Sequence, residues 1–204
     1  RYNLIIIGGD STSGKEISFS ITLIGEVEKN KLCLRSHAKK NDLVLVTGNL
    51  GKSAAGLQLF LNNKEGNKNG HLNPKSRLNI SSKISPFINA MIDISDGLSS
   101  EIKHICNESK VGAIINKEQI PISNTTKQSA LILNQDPIDW ALYGGEDFEL
   151  LFTIPKEKYE QNKANFNDCI IIGEIISKEE GCYMLNQNSN KTILGKGYDN
   201  YNKD

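Results

Sequence analysis

Asn89-Ala90-Met91-Ile92-Asp93-Ile94-Ser95-Asp96-Gly97-Leu98 decides how the rest of the chain is read. Asn89 to Ile94 is a short apolar run of strand length whose last residues deliver Asp93. Ser95 stands where it can cap a helix, and Leu98, Ile102, Ile105 and Cys106 then fall on one helical face. A strand, an acidic turn and a helix follow one another directly. With Ile94 turned inward, Asp93 and Asp96 straddle a helix start, where unpaired N–H groups favour anions such as phosphate. Two carboxylates and a phosphate would repel one another there unless a divalent cation lay between them. The plainer alternative is that Ser95 or Asp96 only caps the helix.

Outward from this unit the same signals repeat. Towards the N-terminus, residues 2–7 read as a buried strand closed by Gly8-Gly9-Asp10, Ser18 to Ile24 alternates like a half-buried strand, and Asp42 to Thr47 is a further strand. Ser53 to Leu61 reads as a helix capped by Ser53, Asn62 to Gly70 as a mobile loop, and His71 to Pro86 as a connector with a short helix. Towards the C-terminus come an apolar stretch at Gly112 to Ile115, a helix at Thr125 to Leu133 and a strand at Leu150 to Ile154. A helix near Lys156 to Lys163 follows, then strands near Cys169 to Ile175 and Cys182 to Leu185. The alternation predicts an α+β fold, a mixed sheet with helices packed on it, rather than a bundle or a sandwich.

Composition narrows the function classes. The 204 residues suffice for one large domain, or one domain with a fragment of another, and a core that needs no disulfides. Lys plus Arg number 24 and so do Asp plus Glu. That balance argues against a nucleic-acid binder driven by bulk positive charge. The longest apolar runs, such as Leu4 to Ile7, fall far below the ~18 residues of a membrane span, so no membrane partner is expected. Arg1-Tyr2-Asn3 is no signal peptide and reads as a cut end. Four scattered cysteines without a C-x-x-C pair suit reduced thiols and a cytoplasmic location.

Two more acidic turns accompany the first. Asp10 follows two glycines, and a carboxylate where the backbone can approach a ligand closely suits Mg²⁺, although a solvated turn Asp reads equally well. Gly144-Gly145-Glu146-Asp147-Phe148-Glu149-Leu150-Leu151-Phe152 sets two acids between a double glycine and a strand. In an extended chain Glu146 and Asp147 point to opposite sides, so that one can reach a ligand while the other is structural. Glycosidase chemistry would also use paired acids, but it explains neither Gly-Gly-Asp nor the acids at the helix start. Arg35 lies in the one locally basic stretch, Lys29 to Lys40, which reads mainly as a solvated face. His37, His71 and His104 show no ligand spacing, and Trp140 reads as a packing residue. Gly48 to Ser53 resembles a Walker loop only superficially.

Taken together, Gly8-Gly9-Asp10-Ser11-Thr12, Val46 to Leu57, Met91 to Leu98 and Tyr143 to Phe152 resemble the thiamine-monophosphate kinases, within the ATP-binding superfamily of aminoimidazole ribonucleotide synthetase. The similarity runs in order down to Gly197-Tyr198-Asp199, with Ser11 where the family usually has Thr and Asn200 where His is common. The resemblance implies that residues 1–7 are the final strand of a missing N-terminal domain, and that 8–204 form a C-terminal ATP- and substrate-binding domain. It implies Mg²⁺ at Asp10, Asp93 and Asp96, and ATP contacts from Gly9, Asp10, Arg35 and Ser95. Glu146 and Tyr198 would contact thiamine monophosphate, with Asp147 a neighbour, and a homodimer would form through the missing domain. No general base is implied, because the acceptor phosphate, with a second pKa of ~6, is already mostly ionised. Catalysis would be in-line transfer of the γ-phosphoryl group, giving thiamine diphosphate, with the fragment alone inactive. Other expectations are a different enzyme of the superfamily, which the lack of a terminal Cys disfavours, or a non-catalytic nucleotide-binding module.

Overall fold

The computed structural model describes residues 4–195. A seven-stranded mixed sheet organises them. Its order is β2 (Ala90–Asp93), β4 (Leu150–Pro155), β1 (Asp42–Thr47), β5 (Cys169–Ile176), β3 (Gly112–Asn116), β6 (Cys182–Leu185) and β7 (Lys191–Ile193). Neighbours run antiparallel except β3 and β6. Helices cover it, so the architecture is the α+β arrangement that the alternation of elements predicts.

Strand periodicity explains how one sheet serves two cores. Successive side chains of a strand face opposite ways. Val44 and Val46 of β1 and Leu151 of β4 therefore join one cluster, whereas Leu45, Phe152 and Ile154 join another. α4 (Leu98–Ser109) lies against the first cluster through Leu98, Ile102, Ile105 and Cys106, the stripe read from the sequence. The second is closed by Ile84 from α3 (Leu78–Ile84) and by Phe166, whose ring stacks on Phe152 with centroids 6.0 Å apart. Because both faces are covered, β1 and β4 are apolar on successive positions rather than alternating. Complete removal of a side chain such as Phe152 from water contributes about 2 kcal/mol in transfer terms.

A third, smaller cluster joins Ala54 and Ala55 of α1 (Lys52–Leu61), Ala130 of α5 (Asn124–Leu133) and Trp140 of α6 (Pro137–Tyr143). Trp140 is buried and its indole N–H donates to Gln135 Oε1 at 2.8 Å, in keeping with a packing role. α6 was not anticipated from the sequence, although its signals are local. Asp136 accepts from the Ile138 N–H at 2.9 Å, and Pro137 occupies the first helical position.

The N-terminal reading requires correction. Residues 4–28 carry no helix or strand. Leu4 to Ile7, expected as a buried strand, are 69–91% exposed, and Phe19, Ile21 and Leu23 of the expected half-buried strand are 77–86% exposed. An extended apolar run becomes a strand only where another strand takes up its N–H and C=O groups, and none of the seven strands pairs with this stretch. Smaller corrections concern helix starts. α1 begins at Lys52 after Gly51 and is capped by a remote side chain rather than by Ser53, α4 begins after Gly97 rather than after Ser95, and Asn69–Leu72 forms a short helix, α2, at the end of the expected loop. All four cysteines are free thiols.

Candidate active site

The two acidic segments of the body are laced together. The Ile94 N–H donates to the Glu149 carbonyl at 2.7 Å, the Phe148 N–H to the Ile94 carbonyl at 2.9 Å, and the Glu146 N–H to the Ser95 carbonyl at 2.7 Å. β2 and β4 are neighbours in the sheet, with Asp93 opposite Leu150, so these bonds extend their ladder into the turns. Close approach has a backbone requirement. Gly145 has φ +66°, and a Cβ there would run into the Ser95 carbonyl, so no other residue fits without displacing the turn.

Burial then sorts the acids of the loop. Glu146 is exposed, Asp147 buried, Phe148 exposed and Glu149 buried, a period of two that ends where β4 begins. The expected opposition of the two acids is present, and it is Glu146 that faces outward and Asp147 inward. It arises in a kinked rather than an extended chain, since Glu146 and Phe148 have φ of 56° and 50°. Asp147 accepts from the Gly51 N–H at 2.5 Å and the Ser53 N–H at 3.0 Å. It thus fills the N-cap role for α1, which its own Gly51 cannot. Burial pushes the Asp147 carboxyl up to about 6, the two N–H donors and Lys52 working the other way.

Glu149 was given no role by the sequence reading and is the most heavily partnered acid of the site. Thr47 Oγ1 donates to it at 2.6 Å, Arg77 Nε and Nη2 at 2.6 and 2.5 Å, and Lys52 Nζ also bonds it. Burial acts to raise its pKa, but Arg77, Lys52 and Thr47 together outweigh that and hold it below the ordinary value. The alternation through residues 146–149 was the available signal. Its partners come from 72 to 102 residues away and carry none. Glu101 escaped notice, and His71 was dismissed for want of ligand spacing. Buried Glu101 accepts from the Asp96 N–H at 3.0 Å, and its carboxyl is raised by burial, partly offset by that N–H. His71 Nδ1 lies 3.0 Å from Ser53 Oγ and 3.6 Å from Glu146 Oε2.

The residues singled out beforehand divide into two sets. Asp93 is exposed and Asp96 half-buried on one turn, with Ser95 between them and Glu146 on the adjoining loop. Neither the Asp93 nor the Asp96 carboxylate takes part in any ion pair or side-chain hydrogen bond among the described residues. Two unpaired hard-oxygen donors at a strand end suit Mg²⁺. Gly9 and Asp10 are not brought to them. Both lie on the exposed N-terminal stretch, and among the described residues Asp10 Oδ1 accepts only from the adjacent Ser11 N–H, at 2.8 Å. Among the described residues no three His, Cys, Asp or Glu side chains group closely enough to hold a metal ion. The Arg35 backbone sits at the other end of α4, its carbonyl accepting from Ser109 Oγ at 2.6 Å, and its side chain is exposed. Tyr198 lies outside the described residues. No helix among those described is long and apolar enough to cross a membrane.

With this geometry established, similarity to known proteins is informative. The chain is 40% identical over 209 residues to a thiamine-monophosphate kinase of Buchnera aphidicola subsp. Schizaphis graminum, covering 96% of this chain and 63% of that protein. It is 35% identical to the Bacillus subtilis enzyme of the same name, of which it covers 65%. The chain therefore spans less than two thirds of the length of these curated relatives. Among solved structures, AaThiL complexed with AMPPCP and TMP matches with a TM-score of 0.70 at 36% identity, over 82% of this chain and 53% of that one. The hydrogenase maturation protein HypE in complex with ATP reaches a TM-score of 0.71 at 16% identity, over 86% and 56%, which shows a shared fold alone. The model of the AIR synthase related protein, C-terminal domain, matches residues 39–184, the interval that holds β1 to β5, both acidic turns and the Glu149 cluster, and the chain belongs to that family.

Proposed function

We propose that this chain supplies the C-terminal part of a cytoplasmic, ATP- and Mg²⁺-dependent thiamine-monophosphate kinase that makes thiamine diphosphate by in-line phosphoryl transfer. One observation carries the reading. The Asp93–Asp96 turn and the Glu146 loop are bonded to each other through their backbones, while the Asp93 and Asp96 carboxylates have no side-chain partner among the described residues and Glu146 meets only His71. Such an arrangement costs electrostatic energy unless cations and substrate use it, and phosphoryl transfer is catalysed mainly by positioning and charge neutralisation. Similarity to thiamine-monophosphate kinases over nearly the whole chain supports the same conclusion.

Asp93 and Asp96 would hold Mg²⁺, which when bound neutralises phosphate oxygens. Ser95 would contact ATP from the same turn, together with Gly9, Asp10 and Arg35, and Glu146 and Tyr198 would contact thiamine monophosphate. Residues 1–7 would end an N-terminal domain through which a homodimer forms and by which Asp10 is carried to the site. The isolated chain would then be inactive.

The test is a chimera that joins to this chain the part of the Buchnera relative lying outside the match. It is expected to form thiamine diphosphate from ATP and thiamine monophosphate, and Asp93→Asn or Asp96→Asn to reduce turnover by at least about 100-fold. A folded chimera without turnover, beside an active relative, or full activity in both variants, would refute the assignment.

A further inference from the structure

Gly48-Asn49-Leu50-Gly51-Lys52-Ser53 is no Walker loop, yet the fold sets its first residues and Lys52 into the wall of a cleft of about 280 Å³. The remaining walls come from the connector between Asn67 and Arg77 and from the start of α5. Three of the side chains lining it are cationic, Lys52, Lys75 and Arg77, and no carboxylate among the described residues lines it. Behind the wall, Glu149 meets both Lys52 and Arg77, so one buried carboxylate answers two cations. Lys75 makes no ion pair or side-chain hydrogen bond among the described residues and adds a further positive charge. The uncharged part of the lining is amides and hydroxyls, including Ser123, Thr125 and Thr126, with Ala55 as its one apolar side chain.

This chemistry selects its ligand. A cleft with surplus positive charge concentrates a compact, multiply charged anion, and Arg77, whose Nε and Nη2 are taken by Glu149, still has Nη1 to donate to an oxyanion beside the lysines. No aromatic ring among the described residues lines it, so a nucleobase would find no stacking surface. At the lower edge of small-molecule pocket sizes, the space suits a phosphate with a small organic remainder. We propose that the cleft is a binding subsite for a phosphomonoester dianion, held by Lys75, Arg77 and Lys52 with the hydroxyls of Ser123 and Thr125. It uses none of Asp10, Asp93, Asp96 or Glu146, so it stands or falls separately from the kinase assignment.

The experiment is titration of the 204-residue chain with inorganic phosphate and, separately, with glycerol 3-phosphate, followed by calorimetry without metal or nucleotide. At a pH near 8 both probes are dianionic. Saturable binding with a Kd of about 1 mM or tighter is expected for each, with competition between them. Lys75→Glu should weaken it about tenfold or more, while Lys158→Glu, the same charge change at an exposed position on α7 (Lys156–Gln161), should leave it unchanged. Absence of saturation by about 10 mM, or equal weakening by the two variants, would overturn the proposal.

Discussion

Asp93 ends β2 and Glu149 immediately precedes β4, its neighbour in the sheet; the two are joined through the same backbone ladder and have opposite environments. Asp93 is exposed and without a side-chain partner among the described residues. Glu149 is 0% exposed and takes bonds from Thr47, Lys52 and Arg77. A buried charge is retained only with its counter-charges, whereas an exposed one is free for a ligand. The loop from Gly144 to Glu149 thus uses its inward acids to build the frame and its outward acid to face solvent.

Substitutions at Glu149, Asp147, Asp93 and Asp96 probe this contrast. Glu149→Gln should do the most damage, because it leaves Lys52 and Arg77 facing a neutral amide. A loss of about 3 kcal/mol in urea unfolding is expected, at the low end for a broken buried pair since both cations are partly hydrated. A change below about 0.5 kcal/mol would mean that the cluster adds nothing to the frame.

Asp147→Ala should cost about 1 kcal/mol, the usual penalty for a lost helix cap, and Asp147→Asn sharpens the point through pH. The folded-state pKa of Asp147 is raised from 3.8 to about 6. Its contribution to stability is therefore fully present below the unfolded value and is lost as pH rises through the folded one. Wild type should gain on Asp147→Asn as pH is lowered from about 6 towards about 4, visible in paired melting curves. A pH-independent difference would contradict the burial of that carboxylate.

Asp93→Asn and Asp96→Asn should have the smallest effect on folding, within about 0.5 kcal/mol of wild type by the same urea measurement. A large loss in either would show a structural role hidden in the turn and would weaken its reading as a ligand site.

Much of this was legible in the sequence, and the misses share a cause. Leu43 to Val46 and Leu4 to Ile7 are both four-residue aliphatic runs. The first lies between β4 and β5 and is almost wholly buried, the second is exposed, and nothing within either run separates them. Periodicity reports what a segment can do, and pairing partners decide what it does. The stripe of α4 was readable because helix hydrogen bonds are local. In the site, the acids of the Asp93–Asp96 turn and Glu146 were found from glycines and helix-start signals in their own neighbourhood. Arg77 and Lys52 were not recognised as partners of Glu149, because a cation's place in a fold is set by residues far along the chain.

The order of strands also bears on how the chain is made. β1, β2 and β3 never pair with one another. β1 waits for β4 and β5, β2 for β4, and β3 for β5 and β6. During synthesis, then, about 100 residues follow β1 out of the ribosome before the first native ladder of this sheet can close, with the aliphatic runs of three strands uncovered meanwhile. Such dependence on distant partners slows folding, and it makes Leu150–Pro155, the strand that seats the candidate site, also the element on which assembly of the sheet turns.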